Sequence, residues 1–344
     1  GFFMDYNAYG RQLTDEQMAS PTFLIVLGCH RSGTSMLASI FHDLGGKLPK
    51  NLLRPSLTNK RGFNESWHWV LANEELLKKM QLTWDSPLPS SQIIESKSFI
   101  EKNTDFVIES LKSGFEKNLS SSDKLIIKDP RICRTFPIWE RAICEMNFSY
   151  NVFLPVRHPF EVINSLGKRD EIEPIHACYI WLWNVIESLI STAHLSPKFV
   201  IYEKVLENPS SYLPSILDCE VPPRSINKIE KSLNHNQDSK NLFSKSEEPF
   251  MFAYRLYEKI LLLNKPNQEL IDFVRSFRLH VLHQSTFLTR ELKRINVGLR
   301  KSAIKRKLSS SHKKKKIPMA ASQSSQKKDA KHAVNFNFIK KFFN

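Results

Sequence analysis

Phe23-Leu-Ile-Val-Leu-Gly28-Cys-His-Arg31-Ser-Gly33-Thr34-Ser35, continued by Met36-Leu-Ala-Ser-Ile-Phe41, reads as a buried strand running through a tight turn into an apolar helix. Gly28 and Gly33 have the G-x-x-x-x-G spacing of a loop that wraps backbone N–H groups around phosphate. Ser32, Thr34 and Ser35 add hydroxyl donors. A turn of this kind at a helix N-terminus is an anion site, because first-turn amides lack partners and the helix dipole favours negative charge. The lysine that follows the second glycine in triphosphate-hydrolysing loops is absent. Thr34 stands there, and Arg31 supplies positive charge from inside the loop. Taken alone, the loop means phosphate, or a strand-to-helix turn whose glycines serve tightness only.

Outward from this stretch the chain alternates apolar runs and amphipathic segments. Helices are expected over 34–44, 66–80, 99–119, 137–146, 159–168 and 175–194, and further strands over 124–128, 150–156 and 198–202. The prolines and asparagines of 47–62 make a long loop, a length that usually carries function. This alternation predicts an α/β fold: a P-loop-like parallel sheet covered by helices on both faces. Ligands of such sheets bind at the carboxyl ends of the strands. Gly28, Lys128, Arg157 and Tyr202 fall at those ends. Residues 1–21 read as a leader, 22–248 as the α/β domain, 249–300 as a helical extension and 301–344 as a basic, disordered tail.

Charge supports that division. Residues 293–344 hold 16 Lys and Arg against one acid, Asp329, so the whole formal excess of +15 lies there. The body before residue 293 balances 34 basic against 34 acidic residues, which argues against nucleic acid as a partner of the folded domain. Cys29, Cys133, Cys144, Cys178 and Cys219 are odd in number and widely spaced, which indicates neither a disulfide framework nor a zinc site. A cytoplasmic setting is the expectation.

A second motif narrows the chemistry. Arg157-His-Pro159-Phe-Glu-Val-Ile-Asn-Ser165 places an arginine at the end of the third strand and a serine eight residues on, in the following helix. A guanidinium can fork onto a phosphate there, with the hydroxyl reaching the same group. Phosphate sites at neighbouring strand ends suggest a nucleotide phosphorylated at two positions.

The loop Gly28 to Ser35 resembles the 5′-phosphosulfate loop of sulfotransferases, and Arg157-His-Pro to Ser165 resembles their 3′-phosphate motif. Tyr202-Glu-Lys-Val-Leu-Glu-Asn-Pro209 is similar to the segment after their fourth core strand, and Lys128-Asp129-Pro130 to a strand-end lysine of several branches. The loop together with Gly62-Phe-Asn-Glu65 looks most like the bacterial-type branch. The resemblance covers about residues 22–220. It implies transfer of a sulfuryl group from 3′-phosphoadenosine 5′-phosphosulfate to an acceptor hydroxyl on a glycan, lipid or small molecule, without a metal. The donor would lie on Gly28, His30, Arg31, Ser32, Gly33, Thr34, Ser35, Arg157 and Ser165. Arg31 and Lys128 would offset developing charge, and Glu65 is the first choice for general base, with His30 and Asp129 next. Asp129 reads more simply as a cap of the turn before Pro130. Trp67, His68, Trp69 and Trp84 flank Glu65 and offer ring faces to an acceptor. The Arg-Lys-Gly loop of the animal cytosolic branch is missing; Lys228, Lys231 and Asn234 lie in the corresponding region.

Two other classes stay open on the residues alone. One is a P-loop kinase; the other is a nucleotide-binding protein without turnover, acting through its basic tail. The run Lys313 to Lys316, with the aromatics and lysines of 336–343, offers contact to an anionic surface.

Overall fold

A computed structural model describes residues 20–53, 64–90, 92–233, 248–283 and 287–314. Four strands, β1 (Thr22–Val26), β2 (Lys124–Lys128), β3 (Ser149–Val156) and β4 (Lys198–Ile201), form one parallel sheet in the order β2-β1-β3-β4. β1 is therefore interior, and all five of its residues are buried. Its unbroken apolar run is what a central parallel strand requires, since both of its faces are covered.

Side-chain parity sorts the strands between two cores. Phe23, Ile25, Leu125, Ile127, Val152, Leu154 and Phe199 face the larger one. It is built with α2 (Trp67–Lys79), α3 (Lys97–Gly114), α4 (Phe136–Glu145), α5 (Pro159–Asp170) and α6 (Pro174–Ser191). Leu24, Val26, Ile126, Phe153 and Val200 face the other. There they meet α1 (Thr34–Asp43), α7 (Tyr202–Glu207), α8 (Pro209–Leu217) and α9 (Pro223–Leu233). The α/β architecture with helices on both faces is as expected.

The structure departs from the sequence reading at several boundaries. The third of the expected helices ends at Gly114, not Leu119. β4 stops at Ile201, and Tyr202 opens a helix. The span read as a helical extension consists of three helices: α10 (Phe250–Leu261), α11 (Gln268–His283) and α12 (Phe287–Lys314). Pro266 lies between the first two, where its ring and missing N–H disfavour continuation. The extension packs on the sheet domain: Ala253, Leu256, Tyr257, Leu270 and Val274 belong to the larger core. The chain divides at Ala303/Ile304 into two units. α12 continues to Lys314, so the segment read as disordered from 301 begins as helix, in keeping with the helix propensity of its Lys, Arg, Ala and Leu. Residues 1–19 of the leader and 315–344 of the tail lie outside the described residues, as do Gly62 and Phe63. Among the described residues no helix is long and apolar enough to cross a membrane.

Three local devices aim the strand ends. Pro130 and Pro159 stand at N1 of the turns that follow β2 and β3, where a missing N–H costs nothing. Buried Arg134 donates to Glu187 of α6 at 2.8 Å and to the carbonyl of Leu88, clamping the Pro-rich segment 85–90 against the domain. Gly28 leaves β1 so close to β3 that an added Cβ would lie 2.6 Å from Pro155 Cγ and 2.8 Å from its carbonyl oxygen. Gly28→Ala should accordingly lower unfolding free energy by about 1–3 kcal/mol, the usual cost of overpacking, measured by urea denaturation. A loss below about 0.5 kcal/mol would show that the approach to β3 does not constrain the loop.

Candidate active site

The loop after β1 is shaped by two left-handed residues, Arg31 (φ 67°) and Gly33 (φ 86°). Gly33 is also the N-cap of α1, and no side chain caps that helix, so its first-turn amides are left for another acceptor. A Cβ on Gly33 would stand 2.6 Å from the Tyr202 ring. That ring in turn carries the Arg157 guanidinium, 4.6 Å from its centroid. Tyr202 thus spaces the loop from the arginine after β3.

Direct bonds then join the two motifs. Arg31 Nε donates to Ser165 Oγ at 2.8 Å, and Arg157 Nη1 donates to the Arg31 carbonyl at 3.2 Å. Arg157 also meets Glu161 at 3.4 Å, and its own carbonyl accepts from the Trp181 indole at 3.1 Å. The next residue, His158, donates its N–H to Glu203, whose other oxygen accepts from the Tyr257 hydroxyl. The Arg157 segment is therefore held from α6, α7 and α10. Burial and the guanidiniums of Arg169 and Arg157 pull the Arg31 pKa below its ordinary value. The fixed positive charge here is crowded and suits an anion.

On the other side of the loop Lys128 is 2% exposed and pairs with Glu65 at 2.5 Å, while also donating to Ser35 Oγ at 3.1 Å. Glu65 is fixed through its main chain, which accepts from Leu53 N–H at 2.7 Å beside the Leu52–Ser66 bridge. It precedes the N-cap of α2, and its carboxylate turns to Lys128. Burial raises the Glu65 pKa, with Asp129 adding to the rise and Lys128 and Arg131 opposing it. Asp129 accepts from Arg131 N–H, as a cap, and from Asn73. Those bonds fit its reading as the cap of the turn before Pro130.

His30 packs on Trp84 with ring centroids 4.7 Å apart, and its Nε2 is buried without a hydrogen-bond partner. Burial first, then the charges of Arg131, Arg169, Lys128 and Arg31, holds its pKa well below the ordinary value. Ser32 Oγ and Arg157 Nε are likewise buried and unpartnered. Cys29 is inert packing: burial and the Cys133 thiol push its pKa well above the usual range.

All the residues singled out in the loop, together with Glu65, Lys128, Arg157 and Ser165, lie at the carboxyl ends of β1, β2 and β3. Arg131 and Arg169 were not anticipated. Arg131 meets Glu65 at 3.6 Å, Glu74 at 3.7 Å and Asp129 at 3.0 Å. Arg169 lies 6.0 Å from the Trp84 centroid. Of the flanking aromatics, Trp69 is core and wholly buried, and Trp67 stacks on His68. Lys228 pairs with Asp43 at the far end of α1; the Lys231 side chain and Asn234 lie outside the described residues. Among the described residues no group of three His, Cys, Asp or Glu side chains could hold a metal ion.

No protein-family model matches the chain, and no curated protein matches it. Among solved structures it is similar to the sulfotransferase domain from the Synechococcus PCC 7002 olefin synthase. Sequence identity is 17% and the TM-score 0.38, over 84% of this chain and 98% of that one.

The neutral His30 makes stability depend on pH. Its folded pKa lies below its unfolded one, so as pH falls through that interval the unfolded chain takes up a proton that the folded protein refuses. Stability should drop by up to about 1.4 kcal/mol per pH unit between pH ~6.5 and the depressed folded value. Urea denaturation of wild type and His30→Gln at stepped pH checks this. The wild type should lose stability relative to His30→Gln on acidification; parallel profiles would mean that His30 is not held neutral.

Proposed function

We propose that the chain transfers a sulfuryl group from 3′-phosphoadenosine 5′-phosphosulfate to an acceptor hydroxyl by in-line displacement. The observation that carries this reading is the 2.8 Å bond between Arg31 and Ser165, which are 134 residues apart. It unites a phosphate-type loop and an Arg–Ser anion motif in one site. The unpartnered Ser32 Oγ and Arg157 Nε fit a ligand with anionic oxygens at two positions.

In this reading the first-turn amides of α1, with Ser32, Thr34 and Ser35, hold the 5′-phosphosulfate. Arg31 and Lys128 stabilise charge that grows on the bridging oxygen as its bond to sulfur breaks. Arg157 and Ser165 bind the 3′-phosphate and so fix the donor's direction. Glu65 accepts the hydroxyl proton as the new oxygen–sulfur bond forms. Its raised pKa makes it a better proton acceptor than a solvated carboxylate. His30, neutral and with a bare ring nitrogen, is the second candidate for that role. The acceptor class remains a glycan, lipid or small alcohol, and a reducing, cytoplasmic setting goes with the dispersed cysteines.

Transfer of labelled sulfate from the donor to a panel of hydroxyl acceptors tests the proposal. Acceptor-dependent labelling is expected, falling about 10²- to 10⁴-fold in Glu65→Gln, as for loss of a general base. Lys128→Met should cost at least about 10²-fold, the scale of losing one charge-stabilising donor. Magnesium-dependent ATP turnover would favour the kinase reading. Nucleotide binding with no transfer to any acceptor would favour a protein without turnover.

A further inference from the structure

Apart from the candidate active site, a cavity of about 400 Å³ opens between the 3₁₀ turn Gln92–Glu95, the start of α4, the last turn of α6 and α11. None of the site residues described above lines it. Its volume lies near the lower end of the roughly 300–1,000 Å³ usual for small-molecule sites. Ile94, Pro137, Ile190 and Leu279 give it apolar walls.

Its charged lining is asymmetric. Arg134, Arg275 and Arg278 stand against Glu95 and Glu187, a net single positive charge. Two of the guanidiniums are only half used. Arg134, with a side chain 1% exposed, spends Nε on Glu187 and Nη2 on the Leu88 carbonyl, and its Nη1 has no partner. Arg278 bonds Glu95 through Nη1, and its buried Nε has no partner. A buried N–H without an acceptor is costly, and a ligand oxygen would relieve it. The acceptor cannot carry much charge, because two carboxylates and the negative end of α6 at Ser191 repel a dianion.

We propose that this cavity binds a small amphipathic monoanion: a carboxylate held by Arg134 and Arg278, with its apolar chain against Ile94, Ile190 and Leu279. The proposal is independent of the sulfuryl-transfer reading. It assigns the chain a second ligand, of different chemistry from a doubly phosphorylated nucleotide.

Titration calorimetry on the full chain with sodium decanoate and decan-1-ol tests it. Decanoate should bind saturably at one site, and the alcohol at least about tenfold more weakly, as expected for loss of a charged hydrogen bond. Arg278→Met keeps the apolar stem and leaves only the exposed Glu95 unpaired. It should weaken decanoate at least about tenfold while leaving 3′-phosphoadenosine 5′-phosphate affinity unchanged. Leu279→Trp, at a side chain 52% exposed, narrows the cavity without touching a charge and should weaken decanoate too. Absence of saturable binding to wild type would overturn the proposal. So would equal affinity for acid and alcohol, or undiminished decanoate binding in both folded variants.

Discussion

Enclosure of β1 between two parallel neighbours is the constraint from which the rest follows. Strand order places β2 on one side of β1 and β3 on the other, so the chain leaving β1 emerges at the point where connections diverge. Gly28 is pressed against Pro155 there, and left-handed backbone at Arg31 and Gly33 turns the chain into α1. Residues at the ends of β2 and β3 then necessarily flank the loop: Lys128 on one side, Arg157 on the other. The convergence of cations is a product of topology.

Concentrating that charge has consequences that buried partners contain. Buried Lys128 is paired with Glu65 and donates to Ser35, and Arg131 is paired with Asp129, Glu65 and Glu74. Removing one member of such a buried pair typically costs about 3–5 kcal/mol, because the survivor is left uncompensated. Burial first, and then the same field, keeps His30 neutral. A cluster held this firmly before a ligand arrives needs little reorganisation when it does, which is how fixed charges contribute most to catalysis.

The sequence exposes those parts of this arrangement that depend on local pattern. Apolar runs marked all four strands, and the two glycines and the Arg–Ser spacing marked both candidate anion motifs. Contacts made through topology left no such trace. Glu65 and Lys128 are 63 residues apart, and only folding sets one beside the other. Arg131 lies within a short turn and Arg169 near the end of a helix, where arginines ordinarily face solvent, so nothing in their spacing set them apart. The short helices α8 and α9 were hidden by Asn208 and the prolines that punctuate 208–223. The half-used arginines of the cavity at α11 come from segments as distant as Arg134 and Arg278, and no motif joins them.

Everything functional rests on the claim that the loop and the Arg157–Ser165 pair together accept a nucleotide phosphorylated at both its 3′ and 5′ positions. Calorimetric comparison of 3′-phosphoadenosine 5′-phosphate with ADP tests that most directly, since the two ligands differ chiefly in where the second phosphate sits. The 3′-phosphorylated nucleotide should bind at least about tenfold more tightly, and Arg157→Ala should erase that preference. Equal affinity of the wild-type protein for both nucleotides would contradict the account.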